Sequence, residues 1–248
     1  MCRRCEAFMM RRPGESSDIA GVSLDFFGTL VVVDDDRPSM ARLLTSLGYT
    51  CTDVTEALWN THGYDGQETP THSSDPSYFA WRRANLVRLA SSAGVPASRI
   101  DSIVETLERN DQSWTVKGRQ GASDLLEFLL RHDVPAVICS NWDYDLAPYL
   151  RQAGLPEDFP CVLSSYIGVR KPATRIFLEA ARRLGLPPRA VLHVGDSVTA
   201  DVVGALRAGM HAGFIGPAQE VLGLPDDLVR VFSSLTSVQH FLRGRSGD

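Results

Sequence analysis

Five short apolar runs bounded by turn residues constrain this chain more than any other feature: Val22 to Phe27, Val134 to Cys139, Cys161 to Ser164, Val191 to Val194 and Gly213 to Ile215. From the second onward they alternate with segments whose apolar residues recur at helical spacing. Leu125, Leu126 and Leu129 do so within Ala122 to Leu130, and Ile176, Phe177, Ala180, Ala181 and Leu184 within Thr174 to Leu184; Ala200 to Ala208 is a third such segment. Strand, helix, strand in succession implies a parallel sheet covered on both faces, because parallel neighbours need a crossover that lies over the sheet. The expected core is therefore a doubly wound, Rossmann-like α/β sheet drawn from residues 18–33 and 118–242. In such sheets ligands bind beyond the carboxyl ends of the strands.

The alternation lapses between residues 34 and 117, where four helical patterns occur and no buried strand is evident: Ser39 to Leu47, Val54 to Thr61, Tyr78 to Ala93 and Ala97 to Asn110. A polar loop, Gly63 to Pro70, separates the second from the third. An all-helical cap inserted directly after the first strand is expected here. Residues 1–17 read as a disordered basic tail whose apolar centre, Ala7 to Met10, is too short for a signal peptide. No stretch approaches the roughly 18 apolar residues of a membrane span, so no membrane association is expected. The net charge of −5, with its 25 basic residues dispersed, gives no footprint for nucleic acid. Five scattered cysteines suggest reduced thiols and a cytoplasmic location. Cys2 and Cys5 have zinc-like spacing, but no second pair follows. Nothing in the sequence reports the oligomeric state.

Two acidic clusters fall at the ends of predicted strands. Asp25-Phe26-Phe27-Gly28-Thr29-Leu30 closes the first run, and Gly195-Asp196-Ser197-Val198-Thr199-Ala200-Asp201 follows the fourth. Carboxylates brought to one sheet edge suit a divalent cation and a nucleophile. Together with Ile138-Cys139-Ser140-Asn141 and Gly168-Val169-Arg170-Lys171-Pro172, these segments resemble the four signature motifs of the haloacid dehalogenase superfamily, in order from Val22 to Met210. Within it the chain is most similar to members with a helical cap after the first strand.

The resemblance implies a hydrolase with Asp25 as nucleophile, assisted by Lys171 and Ser140. It implies magnesium held by Asp25, Asp196 and the main-chain carbonyl of Phe27, hard oxygen donors suited to that ion. Lys171 would stabilise charge on the transferring group, and Ser140 would bind a phosphate oxygen. Asp201 would support the site by orienting Lys171 or a metal-bound water. Gly28, Thr29, Asn141 and Trp142 are expected to touch a small phosphorylated substrate. His193, in a predicted buried strand, reads as a core histidine.

One position departs from the pattern. Phosphatases of this superfamily usually carry an aspartate two residues after the nucleophile to protonate the leaving oxygen, and here that residue is Phe27. An aromatic there resembles the dehalogenase branch, since halide leaves without a proton; Asp196 instead resembles the metal-dependent branch. A good leaving group, an acid from the cap (Asp53, His62, Asp65, Glu68 or His72) or a binding role without hydrolysis would each accommodate Phe27. The magnesium-dependent phosphohydrolase is the leading expectation, with a 2-haloacid hydrolase and a degenerate ligand-binding member as alternatives.

Overall fold

A computed structural model describes residues 19–34, 38–51, 68–71, 75–112, 115–143 and 145–244. Eight strands occur in it: β1 (Gly21–Leu24), β2 (Val31–Val33), β3 (Val116–Gly118), β4 (Ala136–Ser140), β5 (Cys161–Leu163), β6 (Val191–Gly195), β7 (His211–Ile215) and β8 (Val229–Phe232). Six form one parallel sheet in the order β5-β4-β1-β6-β7-β8. The chain builds outward from β1 to β4 and β5, then crosses back to lay β6, β7 and β8 on the other side. The order therefore reverses at β1, and the crevice above its carboxyl end is flanked by β4 and β6.

The first apolar run is strand only to Leu24. Phe26 is fully buried, and its carbonyl accepts from the amides of Leu30 and Val31 at 2.8 and 3.0 Å, which turns the chain into β2. β2 and β3 pair antiparallel as a separate ribbon at the root of the inserted segment. Neither this ribbon nor β8 was foreseen. The ribbon strands are three residues long, and β8 lies at the sheet edge with Arg230 and Val231 exposed, so neither shows a period worth reading.

Between β2 and β3 lie α1 (Met40–Ser46), α2 (Pro76–Ser92) and α3 (Ile100–Gln112). The Ser39 hydroxyl accepts from the Arg42 amide to start α1, and the Asp75 carboxylate accepts from the Ser77 amide to start α2. Pro76 suits the first position of α2, where its missing N–H leaves no bond unmade. The three helices share their own apolar centre, in which Met40 and Leu44 meet Leu86, Leu89, Ala90, Ile103, Val104 and Leu107. The predicted helix Val54 to Thr61, most of the polar loop, the 1–17 tail and candidates Asp53, His62, Asp65 and His72 lie outside the described residues.

The remaining helices are α4 (Ala122–Arg131), α5 (Ala147–Gln152), α6 (Ser164–Ile167), α7 (Thr174–Leu184), α8 (Gly204–Arg207) and α9 (Leu235–Arg243). Alternate residues of each inner strand face opposite layers. Val22, Leu24, Ile138, Leu192 and Val194 pack with α4 and α9 through Leu125, Leu126, Leu129, Leu235, Val238 and Leu242. Val137, Cys139, Val191 and Ala212 pack with α7 through Ile176, Phe177 and Ala180. Each fully buried leucine among them contributes about 1.5–3 kcal/mol. The expected helix Ala200 to Ala208 forms in two pieces, a π-helical turn at Val198–Val203 that continues into α8. No helix among the described residues is long and apolar enough to cross a membrane. Cys51, Cys139 and Cys161 are free thiols.

Candidate active site

The carboxyl ends of β1, β4 and β6 deliver the acidic and hydroxyl groups to one point. Asp25 continues from β1, its amide donating to the Val194 carbonyl of β6 at 2.8 Å, which ties its backbone to that neighbouring strand. Ser140 closes β4 and donates its hydroxyl to Asp25 Oδ1 at 3.0 Å. Lys171 enters from the loop between α6 and α7, and its Nζ donates to Asp25 Oδ1 at 2.6 Å, Asp201 Oδ1 at 2.6 Å and the Cys139 carbonyl at 3.1 Å. All three ammonium protons of this fully buried lysine are thus satisfied.

Two glycines make the acidic approach sterically feasible. Gly28 sits at φ 89°, and a Cβ there would lie 2.1 Å from Asp196 Oδ2. A Cβ on Gly195 would lie 2.1 Å from Asp201 Cγ. Asp201 is fixed within the π-helical turn: its Oδ2 accepts from the Ser197 amide at 2.9 Å, and its Oδ1 meets His193 Nε2 at 3.1 Å as well as Lys171. π-Helical turns of this kind are frequent at functional sites.

Oxygens of Asp25, Asp196 and Asp201 lie within 4.8 Å of one another. Three carboxylates against a single ammonium leave an excess of negative charge, and the ionisation of each group reflects it. Burial pushes the Asp25 carboxyl up to about 6, with Asp201 and Asp196 adding to the rise and Lys171 opposing it. Partial desolvation and the Asp201 charge also raise Asp196, although the residue itself keeps access to solvent. Burial works against the Asp201 anion too, but Lys171 and His193 outweigh it and hold that carboxyl below the usual range. Lys171 is raised above the ordinary lysine value because Asp201 and Asp25 overcome its own burial. A divalent cation fits this donor set: Asp25 and Asp196 offer hard oxygens and surplus charge, whereas Asp201 is already engaged by Lys171, His193 and Ser197.

Of the expected catalytic residues, Asp25 therefore accepts from both Ser140 and Lys171, with Asp196 and Asp201 beside them. The four residues expected to touch substrate have engagements within the protein. Gly28 donates its amide to the Val31 carbonyl at 2.8 Å, and its own carbonyl accepts from the Arg119 guanidinium. Buried Thr29 donates to Asp196 Oδ1 at 3.3 Å. Asn141 clamps the main chain of Lys171, accepting from its amide at 2.7 Å and donating to its carbonyl at 3.1 Å. Trp142 is a core residue, packed edge-on against Phe26 at 5.2 Å and Tyr149 at 5.0 Å, and tilted against Phe27 at 6.3 Å.

Sequence reasoning missed a network next to the site. Asp143 accepts from the Tyr78 hydroxyl at 2.5 Å and from Arg170 at 2.9 Å, and pairs with Arg82 at 3.4 Å; Arg82 also pairs with Asp111. The Thr69 amide donates to the Gly168 carbonyl at 2.9 Å. The helical insert is thereby tied to the Lys171 loop. Arg83, next to Arg82 on the same helix, pairs with Glu108 and Asp101. Glu68, the one acid candidate of the insert among the described residues, is exposed and bridges to Val169.

Fold and site together define a class, an α/β protein with a lysine-supported carboxylate at its topological switch point. The haloacid dehalogenase-like hydrolase family matches residues 19–209, and the chain belongs to that family of hydrolases. The mouse haloacid dehalogenase-like hydrolase domain-containing protein 3 is 30% identical over 165 residues, 65% of this chain and 66% of the mouse protein. The Escherichia coli 5-amino-6-(5-phospho-D-ribitylamino)uracil phosphatase YigB is 30% identical over 140 residues, 55% of this chain and 57% of that protein. A glyceraldehyde 3-phosphate phosphatase of Methanopyrus kandleri is 55% identical over 49 residues, 20% of this chain and 21% of its own length. The chain thus spans less than two thirds of the length of each of these relatives. Among solved structures, a HAD family hydrolase of Deinococcus radiodurans with bound phosphate and sodium has a TM-score of 0.59 at 23% identity, covering 92% of this chain and 97% of its own. A 2-haloacid dehalogenase of Pseudomonas syringae has a TM-score of 0.57 at 23% identity, covering 91% and 99%. At such identity these two likenesses establish the fold alone.

Proposed function

We propose that this protein is a magnesium-dependent phosphohydrolase of the cytoplasm acting on a small phosphorylated metabolite through an aspartyl-phosphate on Asp25. The observation that carries the reading is Asp196, a second carboxylate gathered to within 4.8 Å of the Asp25 and Asp201 oxygens. The Asp196 charge adds to the raised pKa of the Asp25 nucleophile and hinders it unless a cation is bound, so Asp196 argues for metal and against a 2-haloacid hydrolase. The phosphatase relatives support the same choice.

Asp25, Asp196 and the Phe27 carbonyl would hold the ion, which supplies charge screening between the nucleophile and a phosphate dianion. Ser140 and Lys171 orient the Asp25 carboxylate, and Lys171 offsets charge that builds on the transferring group. Asp25 attacks phosphorus, the P–O bond to the leaving alkoxide or carboxylate breaks with its electron pair going to that oxygen, and water then cleaves the aspartyl-phosphate. With Phe27 in place of an acid, substrates whose leaving groups depart without a proton are favoured. The helical insert serves as the cap that excludes bulk water, steadied by its Tyr78 and Arg82 contacts to Asp143.

The test is phosphate release from a panel of phosphorylated metabolites, acyl phosphates and an activated aryl phosphate, with magnesium or with chelator. Metal-dependent release that disappears in Asp25→Asn is the expected result. Silence across the panel from protein that binds magnesium, or chloride release from a 2-haloacid in the presence of chelator, would overturn it.

A further inference from the structure

His193 is a fully buried titratable residue for which the mechanism above has no use. It lies on β6 facing α7, between Ser23 of β1 and Ala212 of β7, and Phe177 meets its ring edge-on at 4.9 Å. An apolar side chain could fill this place without the cost of burying an imidazole. What the imidazole adds is two hydrogen bonds. Its Nδ1 lies 2.9 Å from the hydroxyl of Ser23 on β1, and its Nε2 lies 3.1 Å from Asp201 Oδ1.

The chemistry of the partners fixes the direction of each bond. Ionised Asp201 can only accept, so Nε2 carries the proton; a neutral imidazole then accepts at Nδ1, and Ser23 donates to it. Burial lowers the His193 pKa, in keeping with a neutral ring. A continuous buried chain results, Ser23 to His193 to Asp201 to Lys171 to Asp25, whose contacts measure 2.9, 3.1, 2.6 and 2.6 Å. Asp201 Oδ1 takes two donors, Lys171 and His193, while Oδ2 takes the Ser197 amide. With His193 absent, Oδ1 would be held by the lysine alone, and the carboxylate could turn about its Cβ–Cγ bond and draw Nζ away from Asp25.

We propose that His193 is a positioning residue: held as its Nε2–H tautomer by Ser23, it fixes the Asp201 carboxylate and through it sets Lys171 Nζ against the Asp25 nucleophile. Ser23 and His193 lie in adjacent strands at the matched pair Ser23 and His193 of the β1–β6 register, so the sheet itself aligns them. The kinetic consequence rests on the phosphohydrolase reading; the hydrogen-bond assignment does not.

The experiment compares wild type with His193→Leu and His193→Gln, whose amide N–H reaches the place of Nε2. Beryllofluoride with magnesium, a mimic of the phosphorylated carboxylate that needs no turnover, is titrated and followed by fluorine NMR. Turnover of an activated aryl phosphate and thermal unfolding are measured alongside. His193→Leu is expected to weaken beryllofluoride binding and lower kcat by about 10- to 100-fold, with KM and the magnesium requirement little changed, and His193→Gln to recover most of the loss. Equal behaviour of the two variants, or a leucine variant within twofold of wild type, would overturn the proposal. Ring-nitrogen NMR of wild type tests the assignment even where the leucine variant fails to fold or no ligand binds: Nε2–H is expected, and Nδ1–H or the imidazolium refutes it. Wild type that takes up beryllofluoride but releases no phosphate would count against hydrolysis while leaving the His193 comparison readable.

Discussion

Replacing Lys171 by methionine removes an ammonium while keeping nearly the length and apolar volume of its stem. In the folded protein Nζ serves Asp25 and Asp201 at 2.6 Å each, and both carboxylates are almost completely buried. Removing one partner of a buried ion pair costs about 3–5 kcal/mol, because the charge left behind has neither partner nor water. For a chain of this size each kcal/mol moves the melting temperature by about 2–4 °C, so a fall of roughly 6–20 °C is expected near neutral pH. The sign of the pH dependence follows from the shifts. Lys171 is raised above 10.5 in the fold, so its contribution is fully present below that value and disappears only as pH rises through the folded pKa. Asp201 is held below 3.8, so its contribution is present above that value and is lost as pH falls. In Lys171→Met both carboxyls titrate higher and can escape the penalty by protonation, so the deficit should be larger at about pH 8 than at about pH 5. Thermal and urea unfolding of both proteins at the two pH values checks this. A shift below about 2 °C, or an equal shift at both, would show that Nζ does not neutralise the pair as argued.

Phe27→Asp should raise phosphate release from alkyl phosphates by about 10²- to 10⁴-fold and from acyl phosphates far less, because it restores a proton donor; a steady-state comparison showing no gain would mean the pocket is built for another chemistry. Gly28→Ala places a Cβ at 2.1 Å from Asp196 Oδ2 on a backbone at φ 89°, and magnesium affinity by calorimetry should fall about tenfold or more; unchanged affinity would remove Asp196 from the metal site. Asp25 titrates at about 6, so with limiting magnesium the rate should decline as pH drops through that value, and saturating magnesium should move the decline to lower pH by favouring the carboxylate. A pH–rate profile indifferent to magnesium would contradict the pairing of Asp25 with the ion.

Much of the fold was legible because the inner strands are buried on both faces. Val191 to Val194 stands out as an apolar run broken only by His193, and α7 repeats Ile176, Phe177, Ala180 and Ala181 at helical spacing. β8 was not legible: as an edge strand it buries only Phe232 fully, and Val-Arg-Val-Phe has no pattern that a loop could not also carry. The resemblance of four ordered motifs nominated Asp25, Ser140, Lys171 and Asp196; Asp25, Ser140 and Asp196 end or follow apolar runs whose parallel strands send their carboxyl ends to the same edge, whereas Lys171 comes from the loop between α6 and α7. Thr29, Asn141 and Trp142 were expected to touch substrate. In the fold their side chains meet Asp196, the Lys171 main chain and Phe26 respectively.

By itself the sequence determined the alternation that demands a parallel sheet, the place of the helical insert and the residue types brought to the switch point, because these depend on periodicity and chain order. Tertiary structure alone decided which donors meet which acceptors. Ser23 and His193 are separated by 170 positions, Tyr78 and Asp143 by 65, and Lys171 and Asp25 by 146. A hydrogen bond acts over about 3 Å, so such pairings exist only once strand register and side-chain packing have set the distances, and no local pattern encodes them.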